Sequence, residues 1–112
     1  MKTIPTTDVP DNLVLELRRG AVVLAVLAQL RTEQYGYSLK KLLGDAGLAM
    51  DEGTLYPLLR RLESQGLLRS RWRVEDSRPR RYYRLSSQGE AMLPALRAEW
   101  DSLTKAVRRV IE

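Results

Sequence analysis

The chain contains no cysteine and no histidine among its 112 residues. The first absence excludes a disulfide framework and thiolate metal sites, and the second removes the commonest general base and the commonest metal ligand. No pair of carboxylates, no nucleophile with a neighbouring base and no phosphate-binding glycine loop stands in their place, so the sequence disfavours an enzyme and implies no cofactor and no metal. Long apolar runs are missing too. The longest, Ala21–Ala28, has eight residues, where a membrane-spanning helix needs about 20. The first thirty residues lack the charged, apolar and small-residue layout of a signal peptide, so the expectation is a cytoplasmic protein without a membrane partner. The length bounds the chain to one domain with a modest core, one that a partner chain would help to complete.

What the chain does have is positive charge in one place. The formal net charge is +5, but the stretch from Arg60 to Arg84 holds nine arginines against Glu63, Glu75 and Asp76, a local +6, and the remainder nets −1. All of these cations are arginine, the side chain suited to two-pronged contacts with phosphate and guanine. Runs of charge are usually solvated faces. Here the run follows directly on an amphipathic segment, and that placement favours nucleic acid.

Reading along the chain, residues 1–10 hold Pro5 and Pro10 with no apolar period and are expected to form an extended arm. From Asp11, a candidate N-cap, Leu13, Leu17, Ala21, Leu24, Ala25 and Ala28 describe a helix to about Leu30, the buried spine. After a polar break at residues 31–34, Tyr35–Gly44 forms a short helix with Leu39, Leu42 and Leu43 on one face and Lys40 and Lys41 on the other. A third helix carries Leu55, Leu58, Leu59 and Leu62. Asp51 or Thr54 can cap it, the choice deciding whether Pro57 costs a hydrogen bond, and Gly66 stops it. Together these make a helix-turn-helix. Beyond Gly66 the period becomes two-fold, with Leu68, Ser70, Trp72 and Val74 on one side and Arg69, Arg71 and Arg73 on the other. Glu75–Pro79 supplies turn residues and Arg80–Leu85 a return strand, so the segment reads as a hairpin with a basic tip. One of Tyr82 and Tyr83 is expected beneath the hairpin with Trp72, and the other free. Ser87 and Glu90 are spaced as a capping box for the last helix. In that helix Leu93, Leu96, Trp100, Leu103, Val107 and Val110 recur at three, four, three, four and three residues. That narrow seam calls for another helix, either the first helix of the same chain or, as favoured here, a second copy.

The fold class is therefore mainly α with a small β-hairpin: an arm (residues 1–10), a winged helix-turn-helix (residues 11–85) and a C-terminal dimerisation helix (residues 86–112). Duplex DNA is the expected partner. A helix entering the major groove presents its N-terminal residues to base edges, which nominates Thr54 and Tyr56, while Arg60 and Arg61 further along suit the backbone. Tyr56 could equally be a partly buried ring. Tyr35, Tyr37, Lys40 and Lys41 are expected at the groove edge as phosphate contacts, although either tyrosine could instead be core. Arg78, Arg80 and Arg81 form a wing tip able to follow the backbone or enter a narrow minor groove. Trp100 is either dimer core or the wall of a flat cavity between subunits, where an aromatic face suits a planar apolar ligand.

Tyr35-Gly-Tyr-Ser-Leu39, Gly53-Thr-Leu-Tyr-Pro-Leu-Leu-Arg-Arg-Leu-Glu63, Gln65-Gly-Leu-Leu68 and Pro79-Arg-Arg-Tyr-Tyr-Arg-Leu-Ser86 with Gly89 resemble the PadR family of bacterial transcriptional regulators. The resemblance implies a homodimeric winged-helix repressor on an inverted repeat near a promoter, of the branch whose single C-terminal helix dimerises. Within that branch the chain looks like regulators that hold planar hydrophobic compounds between two tryptophans, which makes Trp100 the ligand position. Wing glycines frequent in those relatives are replaced here by Asp76-Ser-Arg78, implying a stiffer or differently shaped wing. Two other classes compete: a low-specificity nucleic-acid binder, for which the arginine ribbon suffices, and a winged-helix adaptor for other proteins.

Overall fold

The computed structural model describes residues 8–112, so residues 1–7 of the expected arm lie outside it. Helix α1 (Asp11–Gln29) is preceded by Pro10 at the N-cap, with no side chain capping it. Asp11 is thus the first helical residue and not the cap, where its carboxylate still faces the positive end of the helix dipole. Burial is confined to the second half and follows Val22, Val26, Leu27 and then Leu30, whereas Leu13 is 52% and Leu17 83% exposed. The spine is therefore shorter than the sequence suggests, because the N-terminal half of α1 overhangs the domain.

A two-residue strand, β1 (Gln34–Tyr35), follows, then α2 (Gly36–Asp45) and α3 (Glu52–Ser64). Asp51 caps α3: its Oδ1 accepts the Thr54 N–H at 2.8 Å. Pro57 is then the sixth helical residue and gives the Gly53 carbonyl no N–H, a loss tolerated because Gly53 is exposed to water. α3 buries Leu55, Leu59 and Leu62. It ends where Gly66 turns left-handed (φ 83°), with the Leu67 N–H donating to the Leu62 carbonyl at 3.0 Å.

Strands β2 (Leu68–Glu75) and β3 (Arg78–Leu85) form an antiparallel hairpin, and β1 pairs with the other edge of β3, giving the order β1-β3-β2. The sequence does not announce β1, since two residues show no period. Glu75 pairs with Arg78 across a tight turn of Asp76 and Ser77, both at positive φ (51° and 63°), the type I′ geometry that matches strand twist. Pro79 lies within β3 opposite Val74, one step beyond the turn, at a position whose backbone does not bond to β2.

The expected apolar face of β2 holds only at its base. Leu68 is buried, but Trp72 is 64% and Val74 74% exposed, because the hairpin projects past the helices that cover its base. Tyr82 and Tyr83 point to opposite faces, yet both are buried. Tyr83 enters the core. On the other face Tyr82 is covered by the Tyr35 ring at 5.4 Å and the Arg73 guanidinium at 4.2 Å. Neither tyrosine is free, and neither packs with a buried Trp72.

Helix α4 (Ser87–Ile111) is capped by Ser86, not Ser87. The Ser86 hydroxyl accepts the Gly89 N–H at 3.0 Å and donates to the Gly66 carbonyl at 2.6 Å. Gly89 lies against the Leu67 carbonyl so closely that a Cβ has no room. These contacts fix the take-off of α4 to the end of α3, and the Leu85 N–H ties the same corner to the carbonyl of Leu30, the C-cap of α1, at 2.8 Å. One core joins leucines and valines of α1, α2, α3, β2 and β3 with Leu30, Met50 and Tyr83, and Leu93 of α4 packs against it.

Candidate nucleic-acid interface

The start of α2, one flank of α3 and the wing meet in a cleft of about 510 Å³. Seven of the eleven residues nominated for DNA line it: Tyr35, Tyr37, Tyr56, Arg60, Arg78, Arg80 and Arg81, with Gly36 and Tyr83. They are far apart in sequence and converge because β1 sets Tyr35 beside Tyr82 while α3 passes below. Gly36 makes the close approach possible, since a Cβ there would collide with the Tyr56 ring. Burial raises the pKa of Tyr56, with the Glu52 and Tyr83 charges adding to it, and burial likewise raises that of Tyr83. Both hydroxyls therefore remain protonated at neutral pH, and that of the partly buried Tyr56 is able to donate to a phosphate oxygen.

The remaining nominees lie outside this cleft. Tyr37 also borders a neighbouring groove with Lys40 and Lys41. The Lys40 ammonium lies 3.8 Å from Glu52, while Lys41 makes no ion pair among the described residues. Thr54 is half-buried in the first turn of α3 and Arg61 is exposed, and neither lines the cleft.

Sequence counting gives the arginines equal weight, and the structure does not. Glu33, in the loop before β1, accepts two hydrogen bonds from Arg71, at 2.8 and 2.9 Å, and one from Arg73 at 3.2 Å. These bonds, with the Arg71 hydrogen bond the leading cause, lower the Glu33 pKa below the ordinary carboxylate value. Arg73 also donates to Glu75 at 2.8 Å, and the Tyr82 hydroxyl donates to the same carboxylate. Arg80 lies 3.6 Å from Glu75 with its guanidinium 4.6 Å above the Tyr35 ring. Arg81 reaches Glu63 at 3.1 Å. Among the described residues, Arg60, Arg61, Arg69, Arg78 and Arg84 carry no ion pair. Of the three wing-tip cations, only Arg78 is thus uncompensated. The anchoring role of Glu33 was not legible in the sequence, because it stands 38 residues from Arg71 and only the fold joins them. Among the described residues no cluster of carboxylates could hold a metal ion, and no helix is long and apolar enough to cross a membrane.

The α4 seam has two regimes. Leu93 packs on the core. Leu96 and Trp100 are 37% exposed, and Leu103, Val107 and Val110 are 55%, 47% and 84% exposed. Trp100 stands between two cavities against α1, one of about 690 Å³ with Leu24, Ala28, Leu93 and Arg97 on its walls, the other of about 230 Å³ with Val23, Leu96 and Leu103. The start of the seam meets α1 of its own chain, and among the described residues Val107 and Val110, further along, stay half-exposed or more.

Comparison with known proteins places this geometry in context. The sequence model of the transcriptional regulator PadR-like family matches residues 23–95. The transcriptional regulator Rv3488 of Mycobacterium tuberculosis is 41% identical over 93 residues, covering 82% of this chain and 87% of that protein. Among solved structures, a PadR family transcriptional regulator from Eggerthella lenta superposes with a TM-score of 0.82 at 50% identity, covering 90% of each chain. A Streptococcus transcriptional regulator superposes at 0.75 with 31% identity, covering 87% of this chain and 98% of that one.

Proposed function

The chain belongs to the PadR-like family of transcriptional regulators, DNA-binding proteins and not enzymes, and from that premise we propose that it is a cytoplasmic, sequence-specific repressor acting as a homodimer on an inverted-repeat operator. The observation that carries this reading is the convergence of seven nominated residues on one cleft between α3 and the wing. Arg78, Arg60, Arg61 and Lys41, unpaired among the described residues, are nominated cations available to phosphate. Tyr37 and Tyr56 supply hydroxyl donors, and Thr54 stands at the α3 N-terminus where base edges come within reach. Two copies joined through the exposed α4 seam present two such clefts, so half-sites lie about one helical turn, or a multiple of it, apart.

Selection of duplexes from a random pool by the purified protein tests the reading. A two-fold symmetric site should emerge, with binding that weakens steeply as salt rises. Enrichment of no sequence, with unrelated duplex competing equally, would instead support the low-specificity alternative. Undiminished regulation after charge reversal at Arg78, Arg80 and Arg81 would support a protein adaptor.

The cavities beside Trp100 favour relief of repression by a planar hydrophobic ligand, because an indole at a seam position of α4 can stack on a flat apolar face. Planar cationic dyes should quench the fluorescence of Trp100 and release DNA. A Trp100→Ala variant that responds to the dyes like the wild type would remove the pocket from the mechanism.

A further inference from the structure

Among the described residues, Arg81 is the one wing cation tied to the recognition helix. Its Nε donates to Ser70 Oγ at 2.9 Å and a terminal nitrogen donates to Glu63 Oε1 at 3.1 Å, while Ser70 Oγ donates to Glu63 Oε2 at 2.7 Å. The three side chains come from β3, β2 and α3 and close a ring. The guanidinium is flanked by the Trp72 and Tyr83 rings at 5.8 and 5.6 Å. Arg81 nevertheless lines the cationic cleft together with Arg60.

A carboxylate bonded to a cation of that cleft opposes any purely electrostatic attraction to a polyanion, since it cancels a charge that counterion release would otherwise use. The same carboxylate fixes geometry. A guanidinium held by two of its nitrogens cannot swing, and a hydroxyl shared between Glu63 and Arg81 locks β2 to α3. We propose that Glu63 is a positioning residue for operator recognition: through Ser70 and Arg81 it sets the angle of the wing to α3 and suppresses non-specific binding, so that it raises discrimination at the expense of raw affinity. The inference rests on the DNA-binding reading above. Its two effects move affinity and specificity in opposite directions, which a merely structural side chain does not do.

The test is fluorescence anisotropy with the full chain, titrating the duplex that the wild type selects and a scrambled duplex of equal composition over a salt series. Glu63→Gln should bind the scrambled duplex about threefold tighter and the selected duplex no tighter. Its preference should therefore fall by about threefold or more, and the salt slope should steepen by up to about one unit per subunit. Arg81→Lys keeps the charge and loses the two-pronged grip, so its preference should fall without a steeper slope, and Ser70→Thr, which keeps the hydroxyl, should retain the wild-type preference. Equal weakening of both duplexes in Glu63→Gln, or an unchanged preference there or in Arg81→Lys, overturns the proposal. Should Glu63→Gln fail to fold, the preference of Arg81→Lys decides. If the wild type itself does not discriminate, the DNA-binding reading fails and takes this one with it, a result visible before any substitution is made.

Discussion

Ser77 occupies the second central position of the wing turn at φ 63°, a left-handed conformation that costs a residue with a Cβ about 1 kcal/mol. Asp76 tolerates it better, because its short carboxylate can bond locally. Ser77→Gly should therefore stabilise the chain by about 0.5 kcal/mol, the relief of strain being partly offset by the greater freedom of glycine in the unfolded chain. Chemical denaturation reads the change directly, and a loss of stability would show that the turn is not type I′.

Protonation at single residues has a direction as well. Glu33 has a folded pKa below its unfolded one, because Arg71 and Arg73 hold its charged form. Its contribution is present at pH values above the unfolded pKa and is lost as pH falls through the folded one. Tyr82 is the opposite case: its bond to Glu75, and then burial, raise its pKa. That contribution is complete below the ordinary tyrosine range and is lost as pH rises through the raised value. Melting curves across pH should show Glu33→Gln less stable than wild type at neutral pH, with the gap closing in acid. Tyr82→Phe should resist alkali better than the wild type. A Glu33→Gln gap independent of pH would assign the loss to packing instead of charge.

At the scale of elements, most helices were readable and their ends were not. The leucine period of α3 and the seam of α4 follow from 3.6-residue geometry, which one sequence displays in full. Caps depend on which of several adjacent polar residues reaches a free N–H, and neighbours decide that. Ser86 and not Ser87 caps α4, because Ser86 also reaches the Gly66 carbonyl. Ser86→Ala should cost about 1–2 kcal/mol, since it removes both the cap and the bond to the α3–β2 turn, whereas Ser87→Ala should change little. Equal effects in thermal unfolding would contradict that assignment. The hairpin is legible from alternation, but the exposure of Trp72 is not, because alternation tells which face a residue takes and not how far the covering helices extend. β1 escaped for a simpler reason: an edge strand of two residues exists only through its pairing with Tyr82 and Tyr83.

At the scale of the molecule, the described residues extend over 63 × 31 × 21 Å, longer than the core requires, and the overhanging half of α1 and the far half of α4 carry partly to largely exposed apolar side chains. Leu13, Leu17, Leu103, Val107 and Val110 are each about half exposed or more. A narrow seam of this kind is what a second helix covers. Sedimentation equilibrium should find a dimer, and the pair Leu103→Glu and Val107→Glu should yield monomers that keep the wing but lose high-affinity binding to a symmetric operator by about 100-fold or more, because the second half-site no longer adds to the first. A doubly substituted chain that stays dimeric would move the interface elsewhere.

The sequence by itself determined the fold class, the approximate extent of every helix and the hairpin, and the location of the positive charge, because periodicity and composition are local properties that short segments carry in full. It also held the resemblance to PadR regulators, spread over four short motifs. Tertiary structure alone decided which arginines are available to a phosphate. Arg71, Arg73, Arg80 and Arg81 are held by Glu33, Glu75 and Glu63, while Arg78 and Arg60 are not. The physical reason is that Coulomb attraction depends on distance through space, and the partners of those cations stand up to 40 residues away along the chain.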